Sequence, residues 1–140
     1  MLLLVSLDSF SWDARAYASG SKYSFQSKAY DAAGNIGESS ISTITVDNTR
    51  PNIAITSPVS NSAVAKGATL TIKATASDNA AVSKVEFYVS NVWKCSDNIS
   101  PYTCAWKVPY TNTSSYPLNA KAYDTAGNIA TSQTVSVVVR

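Results

Sequence analysis

Lys28–Asn35 reads KAYDAAGN and Lys121–Asn128 reads KAYDTAGN, one difference in eight residues at a spacing of 93 (121 − 28). The likeness runs upstream, where SWDARAYASGSKYSFQS precedes the first copy and AWKVPYTNTSSYPLNA the second. Self-similarity at a fixed period marks a repeat architecture, here with a unit of about 93 residues. Trp12 and Trp106 pair at a spacing of 94, so the copies differ by one residue between tryptophan and motif, a slip that a surface loop tolerates. The first motif comes too early for a whole unit to precede it. The expected organisation is a partial repeat over residues 1–46, holding the last four strands of a unit, and one complete domain over residues 47–140.

Charged residues make up 14% of the 140-residue chain, the net charge is +2, and Lys and Arg are not clustered. Nucleic acid and membrane insertion are therefore poor partner readings. Ser, Thr, Ala, Val, Asn and Tyr are in excess and favour strands and turns, which points to an all-β secreted type of protein. MLLLVSL at the N-terminus lacks the basic flank, apolar length and small-residue cleavage site of a secretory signal, and reads as a strand.

After Asp47, six or seven segments of period-2 alternation are separated by turn residues at the spacing of a two-sheet sandwich. PNIAITSP turns Ile53 and Ile55 inward, TLTIKATA turns Leu70, Ile72, Ala74 and Ala76 inward, and KVEFYVS turns Val85, Phe87 and Val89 inward. YPLNAKAYD contributes Leu118, Ala120 and Ala122, and TVSVVVR contributes Val135, Val137 and Val139. VSNSAVAKGA reads as a turn. VWKC and YTCAWKV read as a hairpin across whose ladder Cys95 and Cys104 face each other. A disulfide there would contribute about 2–3 kcal/mol and point to an oxidising compartment. Two unpaired buried thiols are the alternative, while zinc lacks ligands because the chain has two cysteines and no histidine.

The order VDNTRP…ITSP, ATASDNAAVSKVEFYV, a hairpin ending in AW, then NAKAYDTAGNIATSQTVSVVV resembles the bacterial immunoglobulin-like repeats found in tandem in surface adhesins and secreted hydrolases. The resemblance covers the second unit and what remains of the first. It implies an immunoglobulin-like β-sandwich, one complete repeat preceded by a partial one, in a bacterial extracellular or cell-surface protein. The cysteine pair departs from most such repeats, and Phe10 holds the place of Cys104 in the first unit, as if an apolar cross-strand contact replaced the bond.

Without histidine, the usual base for a Ser or Cys nucleophile is missing, and nine acidic residues are scattered through turns. No phosphate-binding glycine loop precedes a helix. The expectation is a non-enzyme. In an immunoglobulin-like sandwich the N-terminal linker, the loop between the second and third strands and the loop between the last two lie at one end. Those places hold Asp47 with Asn48, Asp78 with Asn79, and Asp124 with Asn128. Oxygen ligands at a domain junction suit Ca²⁺, and the resemblance implies calcium between units of some adhesins. Asp and Asn in tight turns also cap their own backbone, which is the competing reading. Trp93, Tyr88, Tyr102 and Tyr110 are candidates for stacking against sugar rings, as in a carbohydrate-binding accessory module. Tyr30 and Tyr123 are expected to bond backbone at a strand end.

The partial repeat reads as LLLVSL, SFSWDA, YSFQSKAYD and SISTITV, whose apolar faces need a cover. Adjacent repeats or neighbouring copies, by strand exchange or donation, are the expected partners, alongside polysaccharide. Structural work as a spacer, stalk or filament subunit follows.

Overall fold

The computed structural model describes residues 9–110 and 114–140. The chain divides into two compact units, Met1–Asn48 and Thr49–Arg140. No helix among the described residues is long and apolar enough to cross a membrane.

The first unit holds β1 (Lys22–Phe25), β2 (Lys28–Tyr30), β3 (Ile36–Glu38) and β4 (Ser42–Thr45). β1 pairs antiparallel with β4, and β2 with β3. The segment LLLVSL lies outside the described residues, and SFSWDA is no strand. Asp13 accepts a hydrogen bond from the Arg15 amide at 3.0 Å and caps a single 3₁₀ turn at Ala14–Ala16. A side chain that satisfies its own neighbouring backbone competes with a ladder, and here it wins. YSFQSKAYD splits at Gln26 and Ser27, where the Ser27 backbone bonds to Ser39 instead of continuing one strand. Trp12 packs among Tyr17, Tyr23 and Phe25 with ring centroids 4.8–5.5 Å away. Tyr30, Ile36, Ile41 and Ile44 stay exposed, as does Phe10 at 79%, and the counterpart of Cys95 that Phe10 was expected to meet lies outside the described residues.

The second unit holds β5 (Asn52–Ser57), β6 (Ser62–Val64), β7 (Thr69–Ser77), β8 (Val82–Val89), β9 (Val92–Asp97), β10 (Tyr102–Lys107), β11 (Ser114–Asp124), β12 (Ile129–Thr131) and β13 (Val135–Val139). One sheet has the order β10-β7-β5; the other has β6-β13-β11-β8-β9, with β12 also pairing β11. The two are the layers of an immunoglobulin-like sandwich. Its core follows the alternation: Ile72 and Ala74 from one sheet meet Val85, Phe87, Leu118, Ala120, Val137 and Val139 from the other, all buried. Each large apolar side chain so buried stabilises the fold by about 1.5–3 kcal/mol. The Trp106–Tyr116 pair, 5.3 Å apart and tilted by 56°, repeats in the first unit as Trp12–Tyr23, 4.9 Å apart and tilted by 58°.

Two expectations change. Ser62–Val64 is a strand, parallel to β13, where a turn was expected. β9 and β10 are not a hairpin: β9 pairs with β8 in one sheet and β10 with β7 in the other. The loop between them crosses the sandwich edge. Asp97 fixes that crossing by accepting the Ile99 and Thr103 amides at 3.0 and 2.9 Å. Those backbone bonds, Thr103 foremost, hold its carboxyl below the usual range.

Candidate functional site

The repeated motif is an Asp–Asn clamp closing the turn between two strands. In the second unit, Asp124 Oδ1 accepts the Ala126 and Asn128 amides at 2.9 and 2.8 Å, and Asn128 Nδ2 donates to Oδ2 at 2.7 Å. In the first, Asp31 accepts from Ala33, Asn35 and the Asn35 side chain at 2.9, 2.8 and 2.7 Å. The glycine between takes φ of +93° at Gly127 and +87° at Gly34, a region closed to most side chains. Asp124 is 3% exposed, and Asp31 is exposed. Asn35, by side chain and then backbone, lowers the Asp31 pKa.

Of the candidate calcium ligands, Asp78 and Asp124 bring carboxylate oxygens within 4.8 Å of each other in the second unit. Asp78 Oδ2 accepts the Ala80 amide at 3.0 Å, and its buried Oδ1 has no hydrogen-bond partner. Asp124 and Asn128 are engaged in the clamp. Asp47, at the end of the first unit, accepts from the Ser19 hydroxyl at 3.0 Å. An orphaned buried oxygen beside a second carboxylate suits a hard cation.

Of the candidate stacking residues, Tyr102 is 5% exposed in the core, where it shares the inward parity of Cys104 and Trp106, and it is unavailable to a ligand. Tyr110 is exposed, and its ring fills the place a Cβ on Gly67 would take. Trp93 is 54% exposed on β9 and lies directly across from Tyr88 on β8. The Tyr88 phenol donates to Glu86 Oε2 at 2.7 Å, and Tyr123 donates to the same oxygen at 2.8 Å. Tyr123 therefore bonds a side chain, not the backbone expected of it.

Glu86 is the hub of the outward face of β8 and β11 and the residue that sequence reasoning passed over. Lys84 bridges to its Oε1 at 2.6 Å and sits 4.4 Å from the Tyr123 ring centre, while Lys121 sits 5.0 Å from that of Tyr88. Alternation puts Lys84, Glu86 and Tyr88 on one outward face of β8, and the cross-strand register adds the third donor, Tyr123. Burial would raise its pKa, but the bonds from Lys84, Tyr88 and Tyr123 outweigh it and bring the carboxyl to about 2 from 4.5. The same bonds raise the pKa of Tyr88, Tyr123 and Lys84.

Because the folded pKa is the lower one, this contribution is complete above about pH 4.5 and is lost as pH falls toward 2. Discounted for the solvent reaching a sheet face, it is about 1–2 kcal/mol. Urea midpoints measured from pH 5 to 2 should fall less steeply for Glu86→Gln than for the unaltered protein; parallel slopes would refute the assignment.

A family model described as a bacterial Ig domain matches residues 51–137, and one described as a bacterial Ig-like domain (group 3) matches residues 7–91. Among solved structures, the fibronectin(III)-like modules of Clostridium thermocellum CbhA are 32% identical with a TM-score of 0.58, over 63% of this chain and 94% of that one. A β-glucuronidase of Bacteroides uniformis aligns at 19% identity and a TM-score of 0.46, over 64% of this chain and 10% of its own length. No curated protein matches the chain.

Proposed function

The chain belongs to the bacterial Ig-like domains, and from that premise we propose that it is a non-catalytic extracellular structural module, a spacer or adhesive stalk segment built of successive repeats. The observation that carries this reading is the Asp–Asn clamp, made with the same bonds in both units. A device that only closes a turn is reused where architecture is reused. The Cys95–Cys104 bond supports export to an oxidising compartment. Exposed Tyr30, Ile36, Ile41 and Ile44 in the first unit support burial against an adjacent repeat.

Light scattering coupled to size-exclusion chromatography over a hundredfold range of protein concentration tests the role. A spacer segment keeps a constant monomer mass. Mass that grows with concentration would replace the spacer reading with a self-assembling filament subunit.

Calcium belongs to this reading as a ligand of Asp78 and Asp124, stiffening one end of the second unit. Calcium at a hundred times its dissociation constant should raise the stability of that unit by about 2.7 kcal/mol. Identical melting temperatures in millimolar calcium and in chelator remove it.

A further inference from the structure

The lysine of the repeated motif meets a different charge across its ladder in the two units. In the first unit Lys28 on β2 stands opposite Glu38 on β3 and bridges to it at 2.6 Å. The equivalent lysine in the second unit, Lys121, stands opposite Thr131 on β12, so the carboxylate of the first copy is replaced by a hydroxyl. Across the other strand Lys121 faces Glu86, whose carboxylate is already held by Lys84 and two phenols. Lys121 has no salt bridge among the described residues, and its ammonium lies over the Tyr88 ring.

That ring is the direct cross-strand neighbour of Trp93, whose side chain is more than half exposed. On the other side Tyr88 pairs with Asn119, whose amide is fixed by a 2.8 Å bond to Thr134. Trp93, Tyr88 and Asn119 thus form one row across three strands, about 10 Å long at the usual strand spacing. The row offers an open indole, a phenol held in place and an oriented amide, with an uncompensated ammonium beside it. Rigid aromatic and amide groups on a flat sheet suit a pyranose ring: the apolar face of the sugar lies on the indole and its hydroxyls meet the amide. The ammonium adds a demand for negative charge.

We infer that the outward face of β9, β8 and β11 binds an acidic polysaccharide, with a sugar ring on Trp93 and a sugar carboxylate on Lys121. A neutral glycan would leave Lys121 unused, and an anion without a ring would leave Trp93 unused. The site is independent of the spacer role, since a spacer needs no ligand.

The test is native gel electrophoresis of the full chain in gels containing polygalacturonate or its fully methyl-esterified form. Retardation is expected in the acidic gel alone. Trp93→Ala, an exposed position, and Thr131→Glu, which restores the ion pair of the first unit, should each reduce it at least tenfold in apparent affinity. Lys73→Gln, an exposed site on β7 in the other sheet, matches the charge change of Thr131→Glu and should leave it intact. Circular dichroism of each variant confirms the fold. Equal retardation in both gels, retardation in neither, or equal losses for Thr131→Glu and Lys73→Gln would overturn the inference.

Discussion

Asp124→Ala is expected to lower the unfolding free energy of the second unit by about 3–4 kcal/mol, because it orphans three donors at a nearly buried position. Losing a hydrogen bond whose partner can turn to water costs little; leaving an amide inside without an acceptor costs its full desolvation. The Ala126 and Asn128 amides both point at Asp124 Oδ1, and Asn128 Nδ2 at Oδ2. Asp124→Asn separates charge from geometry, since its Oδ1 can still accept two amides while its Nδ2 meets the Asn128 amide donor to donor. An intermediate loss is expected. The exposed Asp31 provides the internal control: Asp31→Ala removes the same bonds where water replaces them, and the main unfolding transition should barely move. Guanidinium unfolding followed by circular dichroism gives all three values. An Asp124→Ala loss below about 1 kcal/mol would mean that water reaches these amides and that the clamp is dispensable.

Much of the second unit was legible because alternation along a strand reports which face a residue takes. TLTIKATA and KVEFYV contain β-branched and apolar residues at every second position, and the buried set follows that parity. Alternation does not report the partner. Cys95 and Cys104 both point inward, which is equally true of a hairpin and of two strands in opposite sheets. Local sequence favoured the hairpin, and the Asp97-fixed crossing overrides it. β6 escaped because three residues pairing in parallel with a distant strand carry no period of their own. Asp13 hid a 3₁₀ turn inside an apparently alternating segment.

The candidate sites were legible in residue type more than in role. Parity alone puts Tyr102 with Cys104 and Trp106, so its burial could have been read; Trp93 differs because the register shifts between Phe87 and Tyr88. Glu86 was out of reach for another reason. Its donors come from its own strand and from Tyr123, 37 residues away, and neither a motif nor a spacing announces such a hub. The contrast between Glu38 and Thr131 was present in the aligned copies from the start, but it gained meaning only when the ladders showed that both stand opposite the repeated lysine.

Removing the Cys95–Cys104 bond, by dithiothreitol or by Cys95→Ala with Cys104→Ala, is expected to cost the second unit about 2–3 kcal/mol. The bond joins residues nine apart whose Cα atoms are 6.1 Å apart, and it links β9 of one sheet to β10 of the other. The larger part of the loss acts through the unfolded chain, which regains the freedom of a loop of about ten residues. A smaller part is local. Among the described residues β9 is an edge strand paired with β8 alone, and the disulfide is its covalent tie to the opposite layer. Once it is cut, amide exchange in Val92–Asp97 should quicken more than in β8 or β11, whose flanks are both paired. Trp93 rides on that strand, so retardation by acidic polysaccharide should weaken on reduction even where the unit remains folded. A uniform rise in exchange across all strands would place the whole effect in the unfolded state and leave β9 with no local dependence on the bond. A stability change under about 0.5 kcal/mol would show that the inter-sheet tie contributes nothing beyond the packing around it.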